Sequence, residues 1–221
     1  MISNFLAHLR TFGVAAEEEL VIFDVGSRDC AQSVEFYEAF RNSRIVAFEC
    51  NPQTLPLCAA AAAARADRLT LVPKAVHEYD GVCAFFPIDP AQTITSWSDG
   101  NPGASSLFRA NGKYEHEHYV QTETSVECTT LASAAAALNI TNVDLIWIDL
   151  QGAELLALKG LGPLLDHVRF IHIELTFREM YSGQAMFRDV HSFLHEHGFE
   201  LVVSVSGRGW QEDGIYRNTK K

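Results

Sequence analysis

Acids stand at the ends of the apolar runs of this chain, which is where an α/β sheet does its chemistry. Asp24 follows Leu20-Val21-Ile22-Phe23 and precedes Val25-Gly26-Ser27, and Glu49 follows Ile45–Phe48 and precedes Cys50-Asn51-Pro52. The two acids are 25 residues apart (49 − 24 = 25). In a doubly wound sheet a ligand lies beyond the carboxyl ends of the strands, so a glycine two residues past the first acid lets the backbone approach it with no Cβ in the way. The second acid, at the tip of the next strand, is placed to accept hydrogen bonds from both hydroxyls of an adenosine ribose. Cys30 occupies the place of the further glycine that a dinucleotide pyrophosphate needs against a helix N-terminus, which argues for a nucleoside ligand without phosphate. Three more polar residues mark later runs: Asp149 after Leu145–Ile148, and His172 and Glu174 within Phe170–Leu175, where a period of two puts both on one face. Groups of this kind align reactants and take a proton from a hydroxyl. Asp149 and Glu174 read as orienting acids and His172 as the proton acceptor, a hydrogen-bonded core histidine being the other reading of a mid-strand position.

The elements that must position these tips follow a βαβ rhythm. The runs at Leu20–Phe23, Ile45–Phe48, Leu69–Val72, Leu145–Ile148, Phe170–Leu175 and Leu201–Val205 are continuous rather than alternating, as in strands buried on both faces of a parallel sheet. Helices are expected at Ala31–Arg41, Pro52–Arg65, Ala153–Lys159 and Met186–His197, the last ended by Gly198. The pattern predicts an α/β fold, a doubly wound, mostly parallel sheet with helices on both faces. An antiparallel hairpin is expected to close it, Leu201–Ser206 and Trp210–Tyr216 about the turn Gly207-Arg208-Gly209. Residues 1–19 carry a loose helical stripe of Phe5, Leu6, Leu9 and Phe12. Residues 78–128, rich in Gly and Pro, break the rhythm and read as an insertion covering the active face, with Trp97, Phe108 and Tyr114 as pocket or lid residues. The whole of 1–221 is expected to be one domain.

Seventeen Lys and Arg against 28 Asp and Glu give a formal charge of −11, with no basic run. Nucleic acid and anionic membrane are therefore not expected as partners, since both need cations to offset phosphate. No apolar stretch reaches the roughly 18 residues of a membrane span and no secretory leader is legible, so a cytoplasmic address is the expectation. Five scattered cysteines without CxxC spacing indicate neither a disulfide framework nor zinc. Tyr114-Glu115-His116-Glu117-His118-Tyr119 crowds imidazoles and carboxylates, but with no third distant ligand it reads as a solvated loop, and no metal is expected.

Several segments in register resemble the FkbM family of methyltransferases, over nearly the whole chain from Val21 to Tyr216. They are Phe23-Asp24-Val25-Gly26; Phe48-Glu49-Cys50-Asn51-Pro52; Pro73-Lys74-Ala75-Val76 with Asp80-Gly81; Ala104-Ser105-Ser106-Leu107; and the stretch from Val126 to Gly160, with Asp144-Leu145-Ile146-Trp147-Ile148-Asp149-Leu150-Gln151-Gly152-Ala153-Glu154 at its centre. The resemblance implies a class I methyltransferase fold, S-adenosylmethionine as methyl donor, and an oxygen acceptor on a sugar or natural product. It implies that Asp24 and Gly26 lie against the amino-acid part of the donor, Glu49 on its ribose, and Ala75 and Val76 beside its adenine. Ser27 and Cys50, next in the two turns, complete the expected donor set. Ser105 and Ser106 are expected at the acceptor or the donor and Glu154 at the acceptor, with a turn role for the serines and a helix-dipole role for Glu154 as the alternatives. The chain departs from the family where an Ala-Asn pair and a glycine give way to Ser27-Arg28 and Cys30, and where a common Glu is replaced by Gln151. Two other functions use the same residues: a nicotinamide-dependent oxidoreductase, whose pyrophosphate turn is missing, and a non-catalytic domain that binds S-adenosylmethionine without turnover.

Overall fold

The computed structural model describes residues 2–203 and 205–221. Five parallel strands form its centre: β1 (Val21–Val25), β2 (Arg44–Phe48), β3 (Leu69–Val72), and, after a small second sheet of β4 (Ala75–Val76), β5 (Gly81–Phe85) and β6 (Thr124–Thr129), β7 (Leu145–Ile148) and β8 (Phe170–Thr176). Two short antiparallel additions, β9 (Phe199–Leu201) and β10 (Gln211–Asn218), complete a seven-stranded sheet in the order β3-β2-β1-β7-β8-β10-β9. The chain leaves β1 toward β2 and β3, then returns to β1's other side through β7 and β8. The reversal between β1 and β7 is the switch point at which open sheets of this kind bind ligands.

Helices cover both faces, and the sequence explains which covers which. One row of side chains, including Phe23, Val25, Val46, Phe48, Ile146, Ile148, Ile171 and Ile173, packs under α4 (Leu131–Ala137), α5 (Glu154–Lys159) and α6 (Phe187–Glu196). The other row, with Ile22, Ile45, Ala47, Leu145, Trp147 and Phe170, packs under α1 (Ile2–Thr11), α2 (Ala31–Ala39) and α3 (Leu55–Ala63). Strands buried on both sides have no face to spare for polar residues, hence the unbroken apolar runs. No described helix is long and apolar enough to cross a membrane.

Three boundaries differ from expectation for local reasons. The N-terminal helix stops at Thr11, because Gly13 takes φ 83° and turns the chain away. The strand expected at Leu201–Val205 lies at Phe199–Leu201 instead: Gly198 ends α6 at φ 87° and the chain enters the sheet at once. Ser204 falls outside the described residues. Helix α4 carries no strong stripe; its N-terminal signal is Thr130, whose side chain accepts from the Ser133 N–H at 3.0 Å. Within the insertion, β5 and β6 pair antiparallel and β6 runs parallel to β4, so the added sheet begins before residue 78.

The tips of β1, β2 and β7 are stitched together. Gly26 and Ser27 donate backbone N–H to the Phe48 carbonyl at 3.1 and 3.0 Å, and Asp149 donates to the Val25 carbonyl at 3.0 Å. Gly26 has φ 89°, and a Cβ built on it would collide with the Asp149 backbone carbonyl. Gly26 is thus required by a contact within the chain as well as by whatever lies beyond the strand ends. Gly26→Ala is expected to cost about 2–4 kcal/mol of stability, the range of a strained positive φ combined with a steric clash, measured as a lowered denaturant midpoint at unchanged slope.

Candidate active site

Glu49 organises the site. Its Oε2 accepts the Arg28 N–H at 2.7 Å, and its Oε1 accepts the N–H groups of Cys50 at 2.7 Å and Asn51 at 2.6 Å. One carboxylate therefore clamps the turn after β1 to the turn after β2. Two carboxylate oxygens offer about four lone-pair positions, so about one is left for a ligand hydroxyl, rather than the two expected. Burial pushes the Glu49 carboxyl up to about 7, against the downward pull of those three N–H groups.

Two clefts open beyond the strand tips and meet at Gly26, Arg28, Gly103 and Asp149. The first, about 550 Å³, has Glu49, Cys50 and Asn51 along one side and Phe48, Ala75, Val76, Phe85, Leu107 and Leu150 as apolar walls. The second, about 910 Å³, is lined by carboxylates (Asp149, Glu174, Glu117), carboxamides (Gln32, Asn101, Gln151, Gln211) and the rings of Trp97, Tyr114, Tyr119 and Trp147. Arg28, the one cation among its described lining residues, is already engaged: the guanidinium is ion-paired to Asp99 and lies over the Trp97 ring, 5.1 Å from the centroid. Arg28 holds φ 51° and its stem packs against Gly103, so it ties the turn after β1 to the inserted segment.

Asp149 and Glu174 sit side by side on neighbouring strand ends. The Gln151 side chain bridges them, its Nε2 donating to Asp149 Oδ1 at 2.7 Å and to Glu174 Oε2 at 3.0 Å, while Gln211 Nε2 donates to the same Glu174 oxygen at 2.5 Å. Burial pushes both carboxyls up, and the neighbouring charge of Asp149 pushes Glu174 further. Two positions deeper along the same strands, Trp147 and His172 stack with ring centroids 3.5 Å apart and planes 2° from parallel, and Phe5 of α1 packs edge-on against both. These rings form the dry floor under the acid pair.

The structure separates the expected site residues into those at the clefts and those beneath them. Gly26, Glu49, Cys50, Ala75, Val76 and Asp149 line the first cleft, and Asp149 and Glu174 the second. Ser105 and Ser106 line the first cleft rather than the second, with their hydroxyls committed to the loop: Ser105 Oγ donates to the Pro102 carbonyl at 2.7 Å and Ser106 Oγ to the Gln151 carbonyl at 2.8 Å. Asp24 is turned away, fully buried below α2, where it accepts from the Ser33 hydroxyl and its Oδ1 has no partner among the described residues; burial pushes its carboxyl up to about 6. Ser27 is buried too, donating to the Asp24 carbonyl at 2.9 Å. Glu154 lines neither cleft and instead accepts the N–H groups of Leu150 and Gly152, both at 3.0 Å, which fixes the turn after β7. His172 is a floor residue, not a cleft residue, and so is not positioned to take a proton from a ligand there. Sequence reasoning passed over Gln32, Asn101, Gln211 and the bridging amide of Gln151, because carboxamides carry no spacing signature; Arg28 was visible only as an unusual residue in the turn.

Burial holds the His172 imidazole down at about 3. A histidine depressed this far stays neutral through the physiological range, so its ring ¹⁵N shifts are expected to remain those of the neutral form from pH about 8 down to about 4. Titration of this ring near pH 6.5 would contradict its placement in the floor.

The comparisons agree with this architecture. A model of the methyltransferase FkbM domain matches residues 24–201. The chain is 26% identical over 220 residues to the 2-O-methyltransferase NoeI of Sinorhizobium fredii (strain NBRC 101917 / NGR234), covering 99% of this chain and 87% of that one. Among solved structures it resembles methyltransferase FkbM of Methylobacillus flagellatus KT, with a TM-score of 0.57 at 11% identity over 92% of this chain; the chain spans 44% of that protein's length. The precorrin-6y C5,15-methyltransferase of Geobacter metallireducens GS-15 superposes with a TM-score of 0.50 at 15% identity, over 97% of this chain and 83% of that one. The fold is that of the class I methyltransferases, and the chain belongs to the FkbM methyltransferase family.

Proposed function

We propose that the chain transfers the methyl group of S-adenosylmethionine to a hydroxyl oxygen of a sugar or small natural product, with the donor in the first cleft and the acceptor in the second. The observation that carries this reading is the meeting of the two clefts at Asp149. The residues of the first cleft fit a nucleoside: an acceptor carboxylate, Glu49, stands beside the apolar side chains of Phe48, Ala75, Val76, Phe85, Leu107 and Leu150, and the turn from Gly26 to Cys30 lacks the further glycine of a pyrophosphate site. The 2-O-methyltransferase name of the Sinorhizobium relative supports oxygen as the acceptor atom.

When bound, S-adenosylmethionine supplies an electrophilic methyl on a sulfonium. The protein's part is alignment and proton removal. Asp149, open to both clefts, takes the hydroxyl proton as the oxygen–carbon bond forms and the sulfur–carbon bond breaks, leaving a methyl ether, a neutral thioether and a protonated carboxyl. Tyr114, Tyr119 and Trp97 offer faces to a sugar ring, and the carboxamides offer paired donors and acceptors to its hydroxyls.

The charge of the second cleft narrows the acceptor. Three carboxylates face one cation that is already paired. Two unit charges about 8 Å apart repel by about 2 kcal/mol at an effective dielectric of about 20, so an acceptor bearing phosphate or carboxylate is disfavoured and an uncharged glycoside suits the cleft. Calorimetry with S-adenosylhomocysteine is expected to show binding and NAD none. Labelled donor is then expected to methylate neutral glycosides with kcat/KM at least about tenfold above their uronate or phosphate counterparts. Binding of NAD alone would point to an oxidoreductase, and homocysteine binding with no acceptor ever methylated would point to a non-catalytic domain.

Glu49 gives the donor site its own pH dependence. Its ionised form accepts the stronger hydrogen bond from a hydroxyl, and its carboxyl lies at about 7. Affinity for S-adenosylhomocysteine should therefore rise as pH increases from about 6 to about 8, because a ligand that prefers the ionised form gains as the proton leaves. Glu49→Gln is expected to bind more weakly, with a flat profile; an unchanged slope in that variant would remove the ribose assignment.

A further inference from the structure

The acid pair of the second cleft is bridged by one neutral side chain, that of Gln151. Gln151 follows β7 in a left-handed conformation, φ 51°, which few side chains adopt without cause. Its carbonyl is fixed by the Ser106 hydroxyl at 2.8 Å, and its Oε1 faces the buried Tyr181 hydroxyl at 3.3 Å, itself bonded to the Ala104 carbonyl at 2.8 Å. With its oxygen on the tyrosine, the amide nitrogen faces the two carboxylates, donating at 2.7 Å to Asp149 and 3.0 Å to Glu174. The reverse orientation would set a carbonyl oxygen against both acids.

We propose that Gln151 is a positioning residue that sets the charge state of the Asp149–Glu174 pair, because its amide gives one proton to each carboxylate from a single atom and cannot itself ionise. A glutamate of the same shape carries at most one proton, so it serves one carboxylate and leaves the other without a donor; once ionised it serves neither and adds a third negative charge. Leucine removes both donors. Either change raises the pH at which the pair loses its proton, since hydrogen bonds to the charged form favour it and a nearby like charge disfavours it.

The surrounding groups are accounted for. From the turn after β1, Arg28 favours ionisation of Asp149; from β8's other neighbour, Asp213 of β10 opposes it; and from α5, Glu154 opposes ionisation of Glu174. The inserted segment brings Glu117 and the hydroxyls of Tyr114 and Tyr119, and the loop after β8 brings Tyr181, whose hydroxyl burial holds protonated. Gln211, the second amide, serves Glu174 alone. Among the described residues, only Gln151 bonds to both acids.

The inference rests on Asp149 as the proton acceptor, and the test separates the two. Side-chain carboxyl titration of Asp149 and Glu174 by ¹³C NMR in the ligand-free protein reads the charge state directly; the pH–rate profile reads its use in turnover. In Gln151→Glu and Gln151→Leu the lowest carboxyl midpoint is expected to move up by about one unit, and the rising limb of kcat by the same amount. At a pH on the rising limb turnover then falls about tenfold and recovers at higher pH, with donor affinity within about twofold of the parent. Gln151→Asn, which keeps the two-proton amide on a shorter arm, is expected to show a smaller upward shift than either. Unmoved midpoints in the Glu variant, which fills the same volume, would overturn the inference, as would a rate lowered evenly at all pH. Midpoints that move while the rate limb stays put would uphold the role of Gln151 and overturn Asp149 as the base.

Discussion

The site exists because two strand tips touch. Gly26 at the end of β1 lies so close to the Asp149 carbonyl at the end of β7 that no side chain fits between them, and the Phe48 carbonyl of β2 holds the same turn from the other side. This contact brings Glu49 and Asp149 to the edges of two adjoining clefts and lets one turn, Gly26 to Cys30, border both. A wider separation would leave two unrelated pockets on a sheet.

Much of the fold was legible because a sheet covered on both faces forces continuous apolar runs, which announce their own ends. The glycine after β1 was legible as well, yet its main constraint is the carbonyl of a strand more than 120 residues further on (149 − 26 = 123), which no local reading reveals. The placement of Asp24 and His172 shows what period two leaves out. It tells which face a residue takes and not how far below the rim it lies: Asp24 and His172 share a face with the cleft residues but sit one row deeper, under α2 and α1. The carboxamide bridge was hidden for a different reason: Gln151 stood out only as a departure from the family, and it and Gln211 come from elements 60 residues apart (211 − 151 = 60) and meet through Glu174.

Burial does the electrostatic tuning. Glu49, Asp149, Glu154 and Glu174 all have carboxyls raised by loss of water, and each accepts hydrogen bonds from backbone or amide N–H groups. A neutral donor relieves a buried carboxylate without cancelling its charge, which keeps an acid available both to attract a positive centre and to accept a proton. The aromatic stack of Trp147 and His172 serves the same end from below by excluding solvent.

The place of β10 in the sheet has a practical reach. The last strand in the chain is not the last in the sheet: it lies between β8 and β9, and its first residue, Gln211, reaches the second cleft. The span matched by the family model, residues 24–201, ends before it and begins after the helix that seals the Trp147 face. A fragment trimmed to that span would strand β9 with no neighbour, bare the hydrogen-bonding edge of β8, and open the floor of the cleft to water from the far side; minimal-domain engineering on this scaffold has to keep both ends.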